Sequence, residues 1–171
     1  MKKLLTIALC VMLTSVPIVA EDTNQAISLY EAEDYDAAVP LLQEAADQGN
    51  AEAQNKLGNC YFYGWGVDQD YEEALKWYQL AADQGYPNSI TNLGLCYYYG
   101  DGVDQDYKEA VKWYQLAADQ GYAQAQNYLG LCYDNGFGVD QDYEEALKWY
   151  QLAADQGLEI AQFNLGSMYV L

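Results

Sequence analysis

Cys60, Cys96 and Cys132 stand 36 residues apart, and a thiol can act as nucleophile, metal ligand or half of a disulfide. Each of those chemistries needs a partner. The chain has no His, so there is no Cys-His or Ser-His-Asp arrangement and no HExxH zinc site. Helices pack about 8–10 Å apart, and a disulfide holds its Cα atoms within about 7 Å. Cysteines at equivalent places in neighbouring helical repeats are therefore expected to stay unpaired, as small buried apolar residues. No metal or cofactor is expected. The acidic runs are the second candidate. Asp68-Gln69-Asp70-Tyr71-Glu72-Glu73 has the carboxylate density of a calcium loop. It lacks the glycine at position six, and Gln79 stands where a bidentate Glu would close the site. Asp70 as a helix cap is the better reading. Gly64-x-Gly66 lacks the third glycine and the preceding strand of a dinucleotide loop.

Charge narrows the partners. Asp and Glu number 26 against 7 basic residues, all lysine, for a formal charge of −19. Such a surface repels a nucleic-acid backbone, and the lack of Arg removes bidentate phosphate clamps. A neutral or basic protein or peptide is the partner this charge favours. Residues 1–20 begin with Lys2 and Lys3, continue through an apolar stretch broken by Pro17, and end at Ala20 before Glu21-Asp22. That is the layout of a secretory signal peptide, which predicts an exported chain, periplasmic or secreted, with no membrane span after cleavage.

Residues 21–171 read as one array. The segment at 68–85 recurs unchanged at 140–157, and at 104–121 with two changes, Lys108 for Glu72 and Val111 for Leu75. A fixed period of this length signals units that bury their faces on one another. Each period predicts two helices. The first runs from about Ala51 to Tyr63, with Ala53, Leu57, Cys60 and Tyr61 inward and Gly58 at a close helix approach. Gly64 and Gly66 turn the chain at positive φ, and Val67 fills the gap between helices. The second helix is capped by Asp70, with Glu73 placed for a capping box and Glu72–Lys76 for an i,i+4 pair. Its inner face carries Tyr71, Ala74, Leu75, Tyr78, Ala81 and Ala82, and Gly85 ends it. Full repeats span 50–85, 86–121 and 122–157, between a shorter unit at 22–49 and a partial one at 158–171. Pro40 is expected to bend the second helix of the short unit or leave a carbonyl unpaired.

Leu57-Gly58, Tyr61, Gly64, Gly66-Val67, Asp70, Ala74, Trp77, Ala81-Ala82 and Gly85 resemble the Sel1-like repeat pattern. The same residue types recur 36 and 72 positions later. The resemblance implies an all-α fold: an α-solenoid, or superhelix, of stacked antiparallel helix pairs, Sel1/TPR-like. It implies a non-enzymatic adaptor for proteins, with first helices lining a concave groove. A cysteine-rich branch of the family is linked with β-lactamase activity. That alternative is disfavoured: there is one cysteine per repeat, and the residues three after Ser15, Ser28, Ser89 and Ser167 are never Lys. Differences among the repeats concentrate in the first helices, where packing alone would favour sameness. Asn55, Thr91 and Asn127, Asn59, Leu95 and Leu131, and Phe62, Tyr98 and Asp134 are therefore the candidate partner-binding residues. Loop position Trp65/Asp101/Phe137 varies as well.

Overall fold

The computed structural model describes residues 22–168. The signal-peptide reading, and Tyr169 in the partial repeat, lie outside the described residues. Every regular element among them is a helix. Helix α1 spans 22–31, followed by α2 (Tyr35–Asp47), α3 (Ala51–Tyr63), α4 (Tyr71–Ala82) and α5 (Pro87–Tyr99). Then come α6 (Tyr107–Asp119), α7 (Ala123–Asn135), α8 (Tyr143–Asp155) and α9 (Glu159–Met168). The chain forms two compact units, one up to Leu80 and one from Ala81. Within each, consecutive helices pack in antiparallel pairs, an α-solenoid arrangement.

Local chemistry sets the helix ends. Asp70 Oδ1 accepts from the Glu73 amide at 2.9 Å; Asp106 and Asp142 each accept two first-turn amides at 2.9–3.1 Å. The reciprocal half of the expected capping box is absent, because the Asp70 amide donates to the Tyr61 carbonyl instead. Glu73 turns outward to Lys76 at 2.7 Å. This i,i+3 pair replaces the expected Glu72–Lys76 pair and recurs as Glu109–Lys112 and Glu145–Lys148. Lys112 thus has an anionic neighbour even in the repeat where Lys108 replaces Glu72. Gly64 and Gly66, at φ 73° and 68°, turn the chain after α3. Helix α2 stays continuous through Pro40.

In the first unit, Ala26, Ala38, Leu42, Ala45, Ala46, Ala53, Leu57, Cys60 and Trp77 form the core, with Val67 packed against it as expected. In the second helix of each full repeat, Tyr78, Tyr114 and Tyr150 are fully buried. The first-helix tyrosines Tyr61, Tyr97 and Tyr133, expected in the core, are only half-buried. The reason is close packing at glycine. A Cβ on Gly58 would lie 2.6 Å from the Tyr78 ring, and one on Gly130 2.7 Å from Tyr150; Gly94 meets Tyr114 in the same way. The second-helix ring occupies the space that the glycine leaves.

Candidate functional site

The first helices of each unit carry the expected partner-binding positions, and the structure divides them by depth. Asn55, Thr91 and Asn127 are buried, at 5%, 4% and 6% exposure. Each lies one turn before Gly58, Gly94 or Gly130 and so shares the close-packed side of its helix. Thr91 Oγ1 donates to the Pro87 carbonyl at 2.8 Å, and Asn127 Oδ1 accepts from Asn164 Nδ2 at 3.0 Å. These three side chains serve packing and internal hydrogen bonds. Their polar type suggested a surface that their helix position denies them.

Asn59, Leu95 and Leu131, and Phe62, Tyr98 and Asp134, are half-buried, and their variety has an internal logic. Tyr78 donates its hydroxyl to Asn59 Oδ1 at 2.8 Å, while Asn59 Nδ2 donates to the Tyr30 hydroxyl at 3.0 Å. Tyr150 instead reaches Asp134 Oδ2, at a long 3.5 Å. Tyr114 faces a repeat with Leu95 and Tyr98 at these positions, and its buried hydroxyl has no hydrogen-bond partner. The indole N–H groups of Trp77, Trp113 and Trp149 share that state. Burial raises the hydroxyl pKa of Tyr114 and Tyr150, and moves Tyr30 to about 12 against the opposing pull of Asn59.

Rings fill the next layer. Phe62 meets Tyr71 edge-on at 5.0 Å in the first unit, and Tyr98 meets Tyr107 at the same separation in the second. The loop position follows suit: Trp65 stacks on Tyr35 at 4.8 Å, and Phe137 on Tyr107 at 5.0 Å. Asp134 breaks the series. It brings no ring to Tyr143, which is 55% exposed while Tyr71 and Tyr107 are half-buried. A cavity of about 320 Å³ lies there, lined by Asp134, Tyr143, Ser167 and Met168. Tyr143, Ser167 and Met168 were not singled out from the sequence. Comparing Phe62, Tyr98 and Asp134 with the tyrosine nine residues after each would have pointed to Tyr143.

Tyr63 and Tyr99 are large exposed rings at the ends of α3 and α5, at 55% and 64%, and Phe163 on α9 is 72% exposed. The Asp-Gln-Asp runs are latches: Gln69, Gln105 and Gln141 donate to the carbonyls of Phe62, Tyr98 and Asp134 at 2.7–2.8 Å, beside the capping aspartates. Among the described residues, no group of three or more His, Cys, Asp or Glu could hold a metal ion. Cys60, Cys96 and Cys132 are free and buried, and desolvation pushes each thiol up to about 12. The thiolate is the reactive form, so these are poor nucleophiles. No described helix is long and apolar enough to cross a membrane.

The Sel1 repeat family model matches residues 29–50, 51–86, 87–122, 123–158 and 160–170. No curated protein is a significant match. Among solved structures, the chain is similar to c5321, a protective antigen present in uropathogenic Escherichia coli strains, with TM-score 0.81 and 35% identity over 88% of this chain and 33% of that one. It is similar to a Sel1 repeat protein from Oxalobacter formigenes, with TM-score 0.80 and 39% identity over 86% of this chain and 59% of that one. Helicobacter pylori cysteine rich protein B shares the fold, with TM-score 0.62 and 20% identity over 77% of this chain and 95% of that one. The chain thus spans a third and somewhat over half of the length of the first two. With five consecutive matches running from residue 29 to 170, on the helix pairs described above, this chain belongs to the Sel1 repeat family.

Proposed function

We propose that the chain is an exported, non-enzymatic scaffold that binds a protein or peptide on the first-helix face of its units. The observation that carries this reading is the placement of large exposed rings there. Tyr63 stands beside half-buried Phe62 in one unit, and Tyr99 beside half-buried Tyr98 in the other. Exposed tyrosines supply contact area at low entropic cost and are enriched at protein interfaces. Sel1 repeats typically mediate protein–protein interactions and are generally non-catalytic, which supports both halves of the reading. The charge of −19 favours a neutral or basic partner. Export rests on the signal-like residues 1–20.

Residues 21–171, immobilised and exposed to envelope and culture fractions, test the reading beside a variant with Tyr63→Ser and Tyr99→Ser. Both are first matched by circular dichroism. A protein retained by the parent and lost by the variant is the expected result. Equal retention would place the contact elsewhere. Lysines at Asn55, Thr91 and Asn127 would be a poor control, because each would bury a charge.

A further inference from the structure

We propose that the cavity between α7, α8 and α9 is a subsite for a lysine or arginine side chain of a partner polypeptide. In the two preceding repeats the same place holds a ring, Phe62 against Tyr71 and Tyr98 against Tyr107. Asp134 puts a carboxylate there instead, and about 320 Å³ lies open between it, Tyr143, Ser167 and Met168. A cavity lined by a carboxylate, a tyrosine, a methionine and a serine has one good class of occupant. The carboxylate pairs with an ammonium or guanidinium group. The Tyr143 ring offers a π-face to the cation, and Met168 offers an apolar wall to the methylene stem.

Other occupants fit less well. An anion meets Asp134 with repulsion, and an apolar group would desolvate the carboxylate without pairing it. Among the described residues, the chain's own cations are engaged or elsewhere. Lys76, Lys112 and Lys148 pair with Glu73, Glu109 and Glu145, and Lys56 lies 3.5 Å from Glu31 and 3.6 Å from Glu52. Lys108 lines a separate cavity with Gly136, Gly138, Val139 and Asp140. Among the described residues no lysine forms an ion pair with Asp134, whose side chain receives only the long bond from Tyr150. The inference rests on the scaffold reading for the source of the side chain; the cavity chemistry is independent of it.

The test titrates the full mature chain with N-acetyl-lysine amide and N-acetyl-arginine amide, against N-acetyl-norleucine amide as neutral probe, followed by NMR. Saturable shifts at Tyr143 and Met168 with at least one cationic probe, and none with norleucine, are expected. Asp134→Asn should weaken that binding at least tenfold, and Asp134→Phe should abolish it. Asp134→Phe copies the ring of the first full repeat, so the variant should fold; it leaves the Tyr150 hydroxyl as the fold already leaves that of Tyr114. Shifts spread over the acidic loops and unchanged in Asp134→Asn would overturn the subsite, as would equal response to norleucine. Either failure leaves the scaffold reading standing. Selective probe binding by a chain that retains no protein supports the subsite and removes the scaffold reading instead.

Discussion

At the scale of single residues, three buried tyrosines in near-identical helices have three different fates. Tyr78 donates to Asn59, Tyr150 to Asp134, and Tyr114 to nothing. Removing one partner of a buried hydrogen bond costs more than removing a hydroxyl that never had one. Tyr78→Phe should therefore lower stability by about 1 kcal/mol, since it removes the hydroxyl that donates to Asn59 Oδ1. Tyr114→Phe should leave stability unchanged or raise it by up to about 1 kcal/mol. Urea denaturation of the two variants checks the order, and the reverse order would contradict these hydrogen-bond assignments. Variation at position 59 and its counterparts thus reflects how each repeat accommodates its own tyrosine. What remains for a partner is narrower than the sequence suggested: the exposed rings and the Asp134 cavity.

At the scale of helices, the glycine in the middle of each first helix sets the spacing of the pair. Alanine would normally gain about 1 kcal/mol over glycine in a helix. At Gly130 the added Cβ would press on the Tyr150 ring at 2.7 Å, and overpacking of this kind costs about 1–3 kcal/mol. Gly166 holds the same place in α9, yet an added Cβ there meets nothing within 4 Å. Gly130→Ala should lower the melting temperature, and Gly166→Ala should raise it slightly. Equal effects in thermal unfolding would show that ring packing does not decide the glycine. A second recurring device joins first helices to the second helices before them. Gln54 donates to the Ala46 carbonyl at 3.0 Å, and Gln126 to Ala118 at 3.3 Å. At the intervening place stands Ile90, fully buried, so apolar packing serves where the amide is missing.

At the scale of the whole molecule, three buried thiols couple stability to alkaline pH. Each is raised in the folded chain from an ordinary 9.0 to about 12 by desolvation. A raised folded value means that the fold holds the proton more tightly than the unfolded chain does. The associated stability is fully present below pH 9 and is lost progressively as pH rises from 9 towards 12. The urea midpoint of the wild type should fall across that range more steeply than that of a variant with Cys60, Cys96 and Cys132 replaced by Ala. At pH 8 all three thiols should resist alkylation until denaturant is added. Parallel pH curves for the two proteins would remove this coupling.

The sequence by itself determined the periodic features: the helix pairs, the aspartate caps of the second helices, the positive-φ glycines, the buried cysteines and the family. Each depends on residues close in the chain, repeated often enough to stand above chance. It did not determine which polar residues face outward. Asn55 and Asn59 are both asparagines four residues apart on α3, yet one is buried and the other is held half-exposed by Tyr30 and Tyr78. Which Glu pairs with Lys76 was likewise left to side-chain placement, since Glu72 and Glu73 both lie within reach along the helix. The Asp134 cavity is lined by a carboxylate from α7, a tyrosine from α8, and Ser167 and Met168 from α9. Residues up to 34 positions apart meet there only because the helices pack, and no local pattern encodes the space between them.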